Sequence, residues 1–411
     1  MGERLTPELR FLGFKGEWER QRFGDTGEFY NGLSGKDRSS FIDGNKKYIQ
    51  YLNIFANTLI DTDFTEYGHV SIDEGENQNR VEYGDILFTQ SSETMDEVGM
   101  TSVYIGDEEE VYLNSFSFGY RFSKAGQFDP RYMGFMLRSN NIRKKIMREG
   151  QGSTRFNLSP NRIKGIIFFA PSLGEQRKIG KFFCRIDERL ELQQNRIDTL
   201  KEYRKGMMQG IFSQGIRFKD DDGIDYPDWQ EKRLGDIAKN SDTRYRDDSS
   251  FDELLSVTLN NGVKKQSEIG EVDSSSRDKS NYKVVAKNDI VYNTMRMWQG
   301  ASGVSEYDGI VSSAYVVLKL AEGIDPEFIG YYFKMPQIIY KFFRGSQGMT
   351  SDTLTLKYNL FKDIVIDIPS LPEQNKIVDF LPSLDKRIEL EERKLEEFNL
   401  IKKELMRRMF I

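Results

Sequence analysis

The chain has 411 residues, a formal net charge of −6, one histidine and one cysteine. A chain of this length exceeds one ordinary hydrophobic core, so two globular domains with additional helices are expected. A single cysteine excludes a disulfide framework and favours a reducing compartment. The sequence has no apolar run long enough to cross a membrane. We therefore expect a cytoplasmic protein without a membrane segment.

Residues 1–170 are predicted to form the first globular domain, of the α+β class, with short strands and a few helices. The segment Trp18–Asp25 opens it with an aromatic residue and ends in Gly-Asp. A turn at Gly84 precedes a short β-rich run, and Pro130 lies in the first turn of an amphipathic helix. An apolar strand over residues 163–170 closes the domain.

Residues 171–214 are predicted to be helical because their apolar positions recur at alternating steps of four and three. Gln193 and Arg204 interrupt the stripe with polar side chains. An apolar stripe this narrow on a charged helix needs a partner helix. Its predicted interface residues are Ile186, Leu190, Ile197, Leu200, Met207 and Ile211.

Residues 215–226 are polar and glycine-containing, as linkers usually are, and residues 227–368 are predicted to form a second domain. The second domain repeats the sequence landmarks of the first domain, although less closely than the helical segments repeat each other. The returning segments are Trp229–Asp236, Asn288–Tyr292, Ile324–Phe328 and the apolar strand 361–368.

Residues 369–411 repeat the first helical segment without a gap, at a constant offset of 198 residues, so that Pro171–Ile179 returns as Pro369–Ile377. Pro382 predicts a break, with a short helix before it and a long helix from about 382 to 410. Cys184 marks the same point in the first copy, and each long helix would have roughly 29 residues and span roughly 44 Å. The second set of interface residues is Leu384, Ile388, Leu395, Phe398, Leu405 and Met409.

The repeat predicts two globular domains in pseudo-two-fold arrangement, joined by two long antiparallel helices that form a coiled coil. A helix of roughly 44 Å is comparable with one turn of duplex DNA, about 34–36 Å. Basic residues are concentrated just before each helical copy, with eight against one acid in 138–164 and five against one in 334–362. Because the domains differ more than the helices do, each domain is expected to read a different half-site.

The sequence indicates no active site of its own. His69 is the only histidine, which excludes multi-histidine metal sites and His-paired triads, and it is predicted to lie in a surface loop. Cys184 has no catalytic context, and the segment Gly32–Asp37 lacks the spacing of a phosphate-binding loop. We therefore expect no catalytic residue, no metal site and no cofactor on this chain.

Four loops suit DNA recognition: 89–92 and 150–155 in the first domain, and 293–300 and 345–350 in the second. They combine glycines with amide, hydroxyl and guanidinium donors, which can contact phosphates or base edges. The alternative interpretation is that they are ordinary polar loops. The candidate DNA-binding residues are Gln90, Ser91, Ser92, Lys144, Lys145, Gln151, Ser153, Thr154, Arg155, Asn293, Arg296, Trp298, Gln299, Arg344, Ser346, Gln347, Thr350 and Lys357.

The sequence resembles the specificity (S) subunits of type I restriction-modification enzymes over nearly its whole length. Three features carry the resemblance: the Pro-Ser-Leu-x-Glu-Gln-x-x-Ile start of each helical copy, the Trp-x-x-x-x-Leu-Gly-Asp start of the second domain, and Asn293–Gly300 followed by Gly309–Tyr315. The first domain departs from this pattern with Phe23 in place of the leucine. Its weakly matching stretch 81–94 makes its loops harder to assign.

The resemblance implies two target-recognition domains, 1–170 and 227–368, separated by conserved spacers, 171–214 and 369–411. Such a subunit binds an asymmetric bipartite DNA sequence, one half-site per domain. It is expected to dock two methyltransferase subunits, which use S-adenosylmethionine to methylate adenine N6, and through them two ATP- and Mg-dependent translocase and nuclease subunits. The alternatives are a coiled-coil scaffold without sequence-specific DNA binding and an enzyme with its own recognition domains.

Overall fold

The computed structural model describes residues 5–63, 66–246, 253–259, 262–269 and 278–411. The chain divides into two compact units, the first made of Met1–Asn195 with Glu392–Ile411 and the second of Arg196–Glu391. Each unit combines sheets, short helices and one part of each of two long helices. The predicted α+β class is therefore confirmed.

The first unit is built on a five-stranded sheet of order β2-β10-β6-β8-β4, accompanied by the three-stranded sheet β5-β3-β9 and the pairs β1-β12 and β7-β11. The strands are β1 (Glu19–Arg22), β2 (Gly27–Asn31), β3 (Lys46–Ile49), β4 (Leu59–Ile60), β5 (Gly68–Val70), β6 (Ile86–Thr89), β7 (Ser91–Ser92), β8 (Thr101–Tyr104), β9 (Val111–Leu113), β10 (Ser117–Phe122), β11 (Phe156–Asn157) and β12 (Ile167–Ala170). The helices are α1 (Phe23–Thr26), α2 (Tyr51–Ala56), α3 (Pro130–Arg138), α4 (Asn140–Arg148), α5 (Pro160–Ile163) and the long α6 (Leu173–Phe212), which continues into the second unit.

The second unit is built on a four-stranded sheet of order β14-β21-β18-β19, with the pairs β13-β22, β15-β16 and β17-β20. The strands are β13 (Gln230–Arg233), β14 (Ala238–Ser241), β15 (Leu255–Thr258), β16 (Gly262–Lys265), β17 (Lys283–Val285), β18 (Ile290–Asn293), β19 (Ser302–Val304), β20 (Gly309–Val311), β21 (Tyr315–Leu320) and β22 (Val365–Ile368). The helices are α7 (Leu234–Ile237), α8 (Pro326–Tyr332), α9 (Pro336–Gly345), α10 (Tyr358–Phe361) and the long α11 (Leu371–Met409).

The predicted repeat of domain landmarks is confirmed in the local structure. Asp129 and Asp325 each cap a helix that begins with proline, accepting hydrogen bonds of 3.0 and 2.9 Å from backbone amides three residues later. Gly84 and Asn288 both adopt the left-handed backbone conformation, with φ of 91° and 73°, in the turn before the central strand. That turn favours glycine and asparagine, which is why the sequence marks it.

Three local predictions were wrong. The strand expected over residues 163–170 begins only at Ile167, because Pro160–Ile163 forms the helical turn α5. In the same way α10 shortens the strand expected over residues 361–368, which becomes β22. His69 lies in strand β5 rather than in a loop, with its side chain exposed.

The apolar stripe of the long helices faces inward as predicted. Ile197, Ile211, Leu384, Ile388 and Met409 are buried. The remaining predicted interface residues are half-buried: Ile186, Leu190, Leu200, Met207, Leu395, Phe398 and Leu405. The polar interruption Gln193 and its counterpart in the second copy, Glu391, are also buried, at 8% and 3% exposure.

The same interhelical ion pair occurs once in each unit. In the first unit the carboxylate of Asp187 on α6 contacts the ammonium of Lys402 on α11. In the second unit Asp385 on α11 accepts from the guanidinium of Arg204 on α6, and the hydroxyl of Tyr331 donates to it at 3.0 Å. Both pairs join an early residue of one helix to a late residue of the other, as antiparallel helices require.

The break predicted at Pro382 is wrong. Helix α11 runs without interruption from Leu371 to Met409 with Pro382 inside it, and α6 likewise passes through Cys184. The helices have 39 and 40 residues instead of roughly 29. Leu381 and Leu384 on either side are buried, so we attribute the continuity to tertiary packing that outweighs the local cost of proline.

Replacement Pro382→Ala should raise the urea midpoint of the second unit, because an interior proline costs a helix up to about 3 kcal/mol. Cys184→Pro places the same residue at the equivalent point of α6 and should lower the urea midpoint of the first unit by a comparable amount. An unchanged or lower midpoint for Pro382→Ala would mean that the proline ring contributes packing that exceeds its backbone cost.

A buried carboxylate–arginine clamp explains the repeated Glu-Gln of the helical copies. Glu175 is 1% exposed and accepts two 2.7 Å hydrogen bonds from Arg10. Glu373, also 1% exposed, accepts bonds of 3.0 and 2.7 Å from Arg217. The glutamines that follow these glutamates are also equivalent. Gln176 accepts a hydrogen bond from the backbone amide of Asp129, just before α3, and Gln374 accepts one from the backbone amide of Asp325, just before α8.

The clamp shows that the predicted linker is a folded part of the repeat. Ile216 donates its backbone amide to Gly210 at 2.9 Å, and Leu9 donates its own to Arg408 at the same distance. Gly210 and Arg408 are equivalent positions near the ends of α6 and α11. The N-terminal segment at Leu9 therefore packs at the end of α11 as the segment at Ile216, which continues the chain from α6, packs at the end of α6. The segment Arg217–Asp225 also forms a tight reverse turn, closed by a bridge between residues 219 and 225.

Candidate nucleic-acid interface

The two predicted loops of the first unit lie side by side. Strand β6 leads into Gln90, whose carbonyl accepts the amide of Leu158 at 2.8 Å. Strand β7 pairs with β11, and Gln151 forms a bridge with Asn157 through two 2.8 Å hydrogen bonds. The segment after the central strand and the loop after α4 therefore form one continuous surface.

The second unit repeats this arrangement. Strand β18 leads into Thr294, whose carbonyl accepts the amide of Leu356 at 2.8 Å. Gln347 bridges to Thr355 with hydrogen bonds of 2.9 and 2.8 Å, in the loop after α9. Each unit thus presents a matched pair of loops beside the end of its central strand.

Glycine closes the hairpin in both loops. Gly152 has a φ of +132°, and a Cβ there would lie 1.9 Å from the carbonyl oxygen of Arg155. At Gly348 a Cβ would lie 2.5 Å from the carbonyl oxygen of Thr353. The sequence interpretation assigned these glycines to close approach of a phosphate, whereas their structural requirement is the turn itself.

Eleven of the predicted DNA-binding side chains, all of which can donate hydrogen bonds, are exposed. In the first unit they are Gln90, Lys144, Gln151, Ser153, Thr154 and Arg155. In the second unit they are Arg296, Arg344, Gln347, Thr350 and Lys357. The hydroxyl of Thr350 is also hydrogen-bonded to that of Thr353. Exposed amides, hydroxyls and guanidinium groups on adjacent loops are the groups that contact phosphates and base edges.

Other predicted residues are engaged within their own unit. Ser92 is buried and donates its hydroxyl to the carbonyl of Thr94 at 2.5 Å, while Ser346 donates to Phe342 at 2.8 Å. The carbonyl of Ser91 accepts the hydroxyl of Tyr51. The indole of Trp298 donates to Met295. These bonds hold the loop backbones in place.

Asn293 and Gln299 lie in the turn after β18 and are half-buried. The side-chain oxygen of Asn293 accepts the amide of Met295 at 2.9 Å, forming a local turn. Trp298 packs beside Phe343 of α9 with ring centroids 6.2 Å apart. This contact fixes the loop 293–300 against the helix that precedes the second loop.

Much of the basic charge before each helix is structural. Arg138 and Arg143 donate to backbone carbonyls, including those of Thr101 at 2.8 Å and Gly99 at 2.6 Å. Burial lowers the pKa of both guanidinium groups to about 10. A count of charges in the sequence therefore overestimates the cationic surface.

The predicted DNA-binding residue Lys145 belongs to the same structural group. Its ammonium donates to the carbonyl of Ile167 at 2.8 Å, and Lys341 donates to Val365 at the same distance in the second unit. Lys334 donates to Gly300 at 2.7 Å, and burial lowers its pKa. Lys145 and Lys341 attach α4 and α9 to neighbouring backbone, and Lys334 does the same for the turn between α8 and α9.

Sequence reasoning missed Arg148 and Asn157, which are exposed on the loop surface of the first unit. Arg148 lies 196 residues before the predicted Arg344, and Gln151 lies 196 residues before Gln347. The same register around both helices could have identified Arg148. Asn157 was detectable only from its pairing with Gln151.

Arg155→Ala should weaken binding to duplex DNA and reduce the slope of log affinity against log salt by about 1, because one phosphate contact is lost. Fluorescence anisotropy across a salt series measures the slope. Ser92→Ala is the matched control and should leave the slope unchanged, since its hydroxyl is already bonded internally. An equal slope for wild type and Arg155→Ala would place Arg155 outside the interface.

Among the described residues, no group of three or more histidine, cysteine, aspartate or glutamate side chains could hold a metal ion. Cys184 is half-buried and has a free thiol, and burial raises its pKa to about 11. None of the described helices is both long and apolar enough to span a membrane.

The family model described as the type I restriction modification DNA specificity domain matches residues 15–202 and again residues 226–400. The putative type I restriction enzyme MjaX specificity subunit of Methanocaldococcus jannaschii is 25% identical over 409 residues, covering 95% of this chain and 92% of the relative. The MjaVIII specificity subunit of the same organism is 24% identical over 430 residues, covering 97% and 93%.

Solved structures agree in fold. The S subunit of a type I restriction-modification system from M. genitalium superposes with a TM-score of 0.53 at 14% identity and 99% coverage of both chains. A chain from a structure of a type I R-M system gives a TM-score of 0.57 at 14% identity, covering 95% and 96%. The two family matches together span most of the sequence, and each falls on one half of the internal repeat. The chain therefore belongs to the type I restriction-modification DNA specificity family, as a specificity subunit with two target-recognition domains.

Proposed function

We propose that this subunit reads an asymmetric bipartite DNA target, with one half-site contacted by the loop pair 89–92 and 150–157 and the other by 293–300 and 345–355. Bases would be read by the exposed amide and guanidinium side chains, and the basic and hydroxyl groups around them would contact phosphates. We keep the boundaries 1–170 and 227–368 for the two recognition domains, with the helical spacers at 171–214 and 369–411.

One observation supports this proposal: equivalent loops have the same backbone pairing in both units, but their side chains differ at several positions. Gln90 corresponds to Thr294 as the carbonyl acceptor of the next loop, and Ser153 corresponds to Met349 after the repeated glycine. A common frame with different surface groups supports the reading of two different half-sites. A scaffold that does not read DNA has no need for this difference.

We propose further that two methyltransferase subunits dock on the long helices, and that two nuclease and translocase subunits assemble through them. Leu192 and Leu390 are equivalent positions of the repeat and are 64% and 51% exposed. Tyr203 and Ile401 are likewise equivalent and are 51% and 53% exposed. Large apolar side chains held in solvent at repeated positions support two docking sites for one kind of partner.

The chemistry in this proposal belongs to the partner subunits. The methyltransferase supplies S-adenosylmethionine chemistry at adenine N6, and the translocase supplies ATP- and Mg-dependent chemistry. The specificity subunit contributes binding and register and acts without a cofactor, metal or catalytic residue of its own. Since the DNA that it would bind is in the cytoplasm, we place the subunit there.

Base-resolution mapping of N6-methyladenine tests the proposal directly. The chain is co-expressed with its methyltransferase subunit in a host that lacks other adenine methylation. We expect a split motif with a fixed unspecified gap, which disappears when the chain is omitted. Methylation that persists unchanged without the chain would remove the specificity role and favour the scaffold alternative.

A further inference from the structure

A cationic groove runs along the first part of α6 in the first unit. It has a volume of about 690 Å³ and is lined on one side by Arg177, Lys181 and Arg185, which are spaced one helical turn apart. Arg131 of α3 adds a fourth cation, and Phe128 lies in its wall. The groove therefore combines an apolar surface with a row of cations.

The four cations are not held by hydrogen bonds or ion pairs to the rest of the described chain. Within the part of the chain that the structure describes, none of Arg131, Arg177, Lys181 and Arg185 makes a hydrogen bond or an ion pair. Two acids also line the groove, and one of them, Asp129, is occupied in capping α3. The other is Glu188. The groove thus keeps an excess of positive charge that faces solvent.

The second unit lacks this charge, although its helix is a close repeat of α6. At an offset of 198 residues, Arg177, Lys181 and Arg185 correspond to Asn375, Asp379 and Ser383. Counted from the equivalent helix caps, Arg131 corresponds to Glu327. The four positions carry +4 in the first unit and −2 in the second.

The sign also differs when Glu188 and its counterpart Lys386 are counted with these four positions, which gives +3 in the first unit and −1 in the second. Residues that hold the repeat together are retained on both helices, including the buried clamp glutamates Glu175 and Glu373 and the ion-paired Asp187 and Asp385. Packing therefore does not require the change of charge. A ligand that distinguishes one helix from the other would account for it.

The position of the groove favours a protein over DNA as that ligand. Strand β6 has the candidate DNA loop at its Thr89 end, where Gln90 follows. At its other end lies the turn with Tyr83, which lines the groove and is 58% exposed. The groove and the DNA-contacting loops are thus at opposite ends of the same sheet.

From this charge inversion we propose that the groove binds an acidic segment of a docked methyltransferase subunit, and does so only at the first of the two otherwise equivalent docking sites. The proposal rests on the proposed function, since it assumes that two copies of this partner dock on the helices. Its consequence is that the two copies are held unequally. The copy beside the groove gains a salt-sensitive contact that the other copy lacks.

Native mass spectrometry of the full chain mixed with its methyltransferase subunit, over a series of ammonium acetate concentrations, tests this inference. As the partner concentration is lowered, the wild-type complex should lose the copy away from the groove first and the copy beside the groove last. The affinity of the copy beside the groove should also fall more steeply as the salt concentration rises. The difference between the two dissociation constants should be at least roughly tenfold at low salt, because several exposed ion pairs act together.

The repeat supplies the variant for this experiment. Replacing the four cations by their counterparts, as Arg131→Glu, Arg177→Asn, Lys181→Asp and Arg185→Ser, should make the two dissociation constants equal by weakening the tighter copy. Three of these residues already occur on the equivalent face of α11, and the fourth occurs at the equivalent position of α8. Lys205→Asp is the control, because Lys205 is an exposed cation of α6 outside the groove, and it should preserve the difference.

Each other outcome overturns the inference. Two copies that bind equally to the wild-type chain, or a difference unchanged by the fourfold variant, would leave the groove without this role while the proposed function stands. If the fourfold variant bound duplex DNA more weakly than the wild-type chain when no methyltransferase subunit is present, the groove would be assigned to DNA phosphates instead. Absence of any partner binding would overturn the proposed function and this inference together.

Discussion

Exchange of residues 1–170 for the corresponding segment of a relative should change one half of the methylated DNA motif and leave the other half unchanged. The first unit has its own core, in which Phe88, Phe118 and Phe135 are buried, and its own pair of candidate loops. The second unit has a separate core around Tyr292 and Phe361. Because the side chains proposed to read bases in one unit take no part in the other, the two halves of the motif should change independently.

The expected effect is large. Each mismatched base pair costs about 1–3 kcal/mol, so loss of a whole half-site should reduce methylation of the old motif to background. Base-resolution methylation mapping of the hybrid provides the readout. The reciprocal exchange of residues 227–368 is the control, and it should alter the other half-motif. A hybrid that changed both halves, or only the gap between them, would contradict recognition by independent domains.

Arg217→Ala should lower the free energy of unfolding of the second unit by about 3–5 kcal/mol, because it leaves the carboxylate of Glu373 buried and unpaired. Arg217 also donates to the carbonyl of Pro227 at 2.7 Å, so the clamp holds the chain that leads into β13. Urea unfolding followed by tryptophan fluorescence suits this measurement, since Trp229 lies in the same core.

The matched control is Arg233→Ala. Arg233 and Asp363 are 3.8 Å apart and both more than 60% exposed, so loss of this pair should cost no more than about 1 kcal/mol. Arg10→Ala should destabilise the first unit as Arg217→Ala does the second. Equal small effects of Arg217→Ala and Arg233→Ala would show that water enters the site and solvates Glu373 after truncation.

The long helices were predictable because they depend on local periodicity and on exact repetition. The stripe from Ile186 to Ile211 and its copy from Leu384 to Met409 identified the paired helices and their antiparallel partnership. The break at Pro382 was not predictable correctly from the same pattern. The local cost of proline is known, but the compensating burial of Leu381 and Leu384 arises only in the folded unit.

The positions of the loops were predictable from the sequence, but the role of each side chain in them was not. Their repeated glycines and amides placed Gln151 and Gln347 in equivalent turns, and both are exposed. The same reasoning could not separate Arg155, which is exposed, from Lys145, whose ammonium is bound to the carbonyl of Ile167. Sequence shows that a cation is present, whereas its partner comes from a strand distant in the chain.

The sequence by itself determined the repeat, the fold class, the two long helices and the family, since each depends on residue order alone. Only the tertiary structure decided which charges are structural and which are available to a ligand. Arg138 and Arg143 became half-buried anchors, while Arg177 and Lys181 line a groove without a hydrogen-bond or ion-pair partner among the residues that the structure describes. The reason is physical: burial and pairing depend on what packs beside a side chain, and those neighbours come from distant parts of the chain.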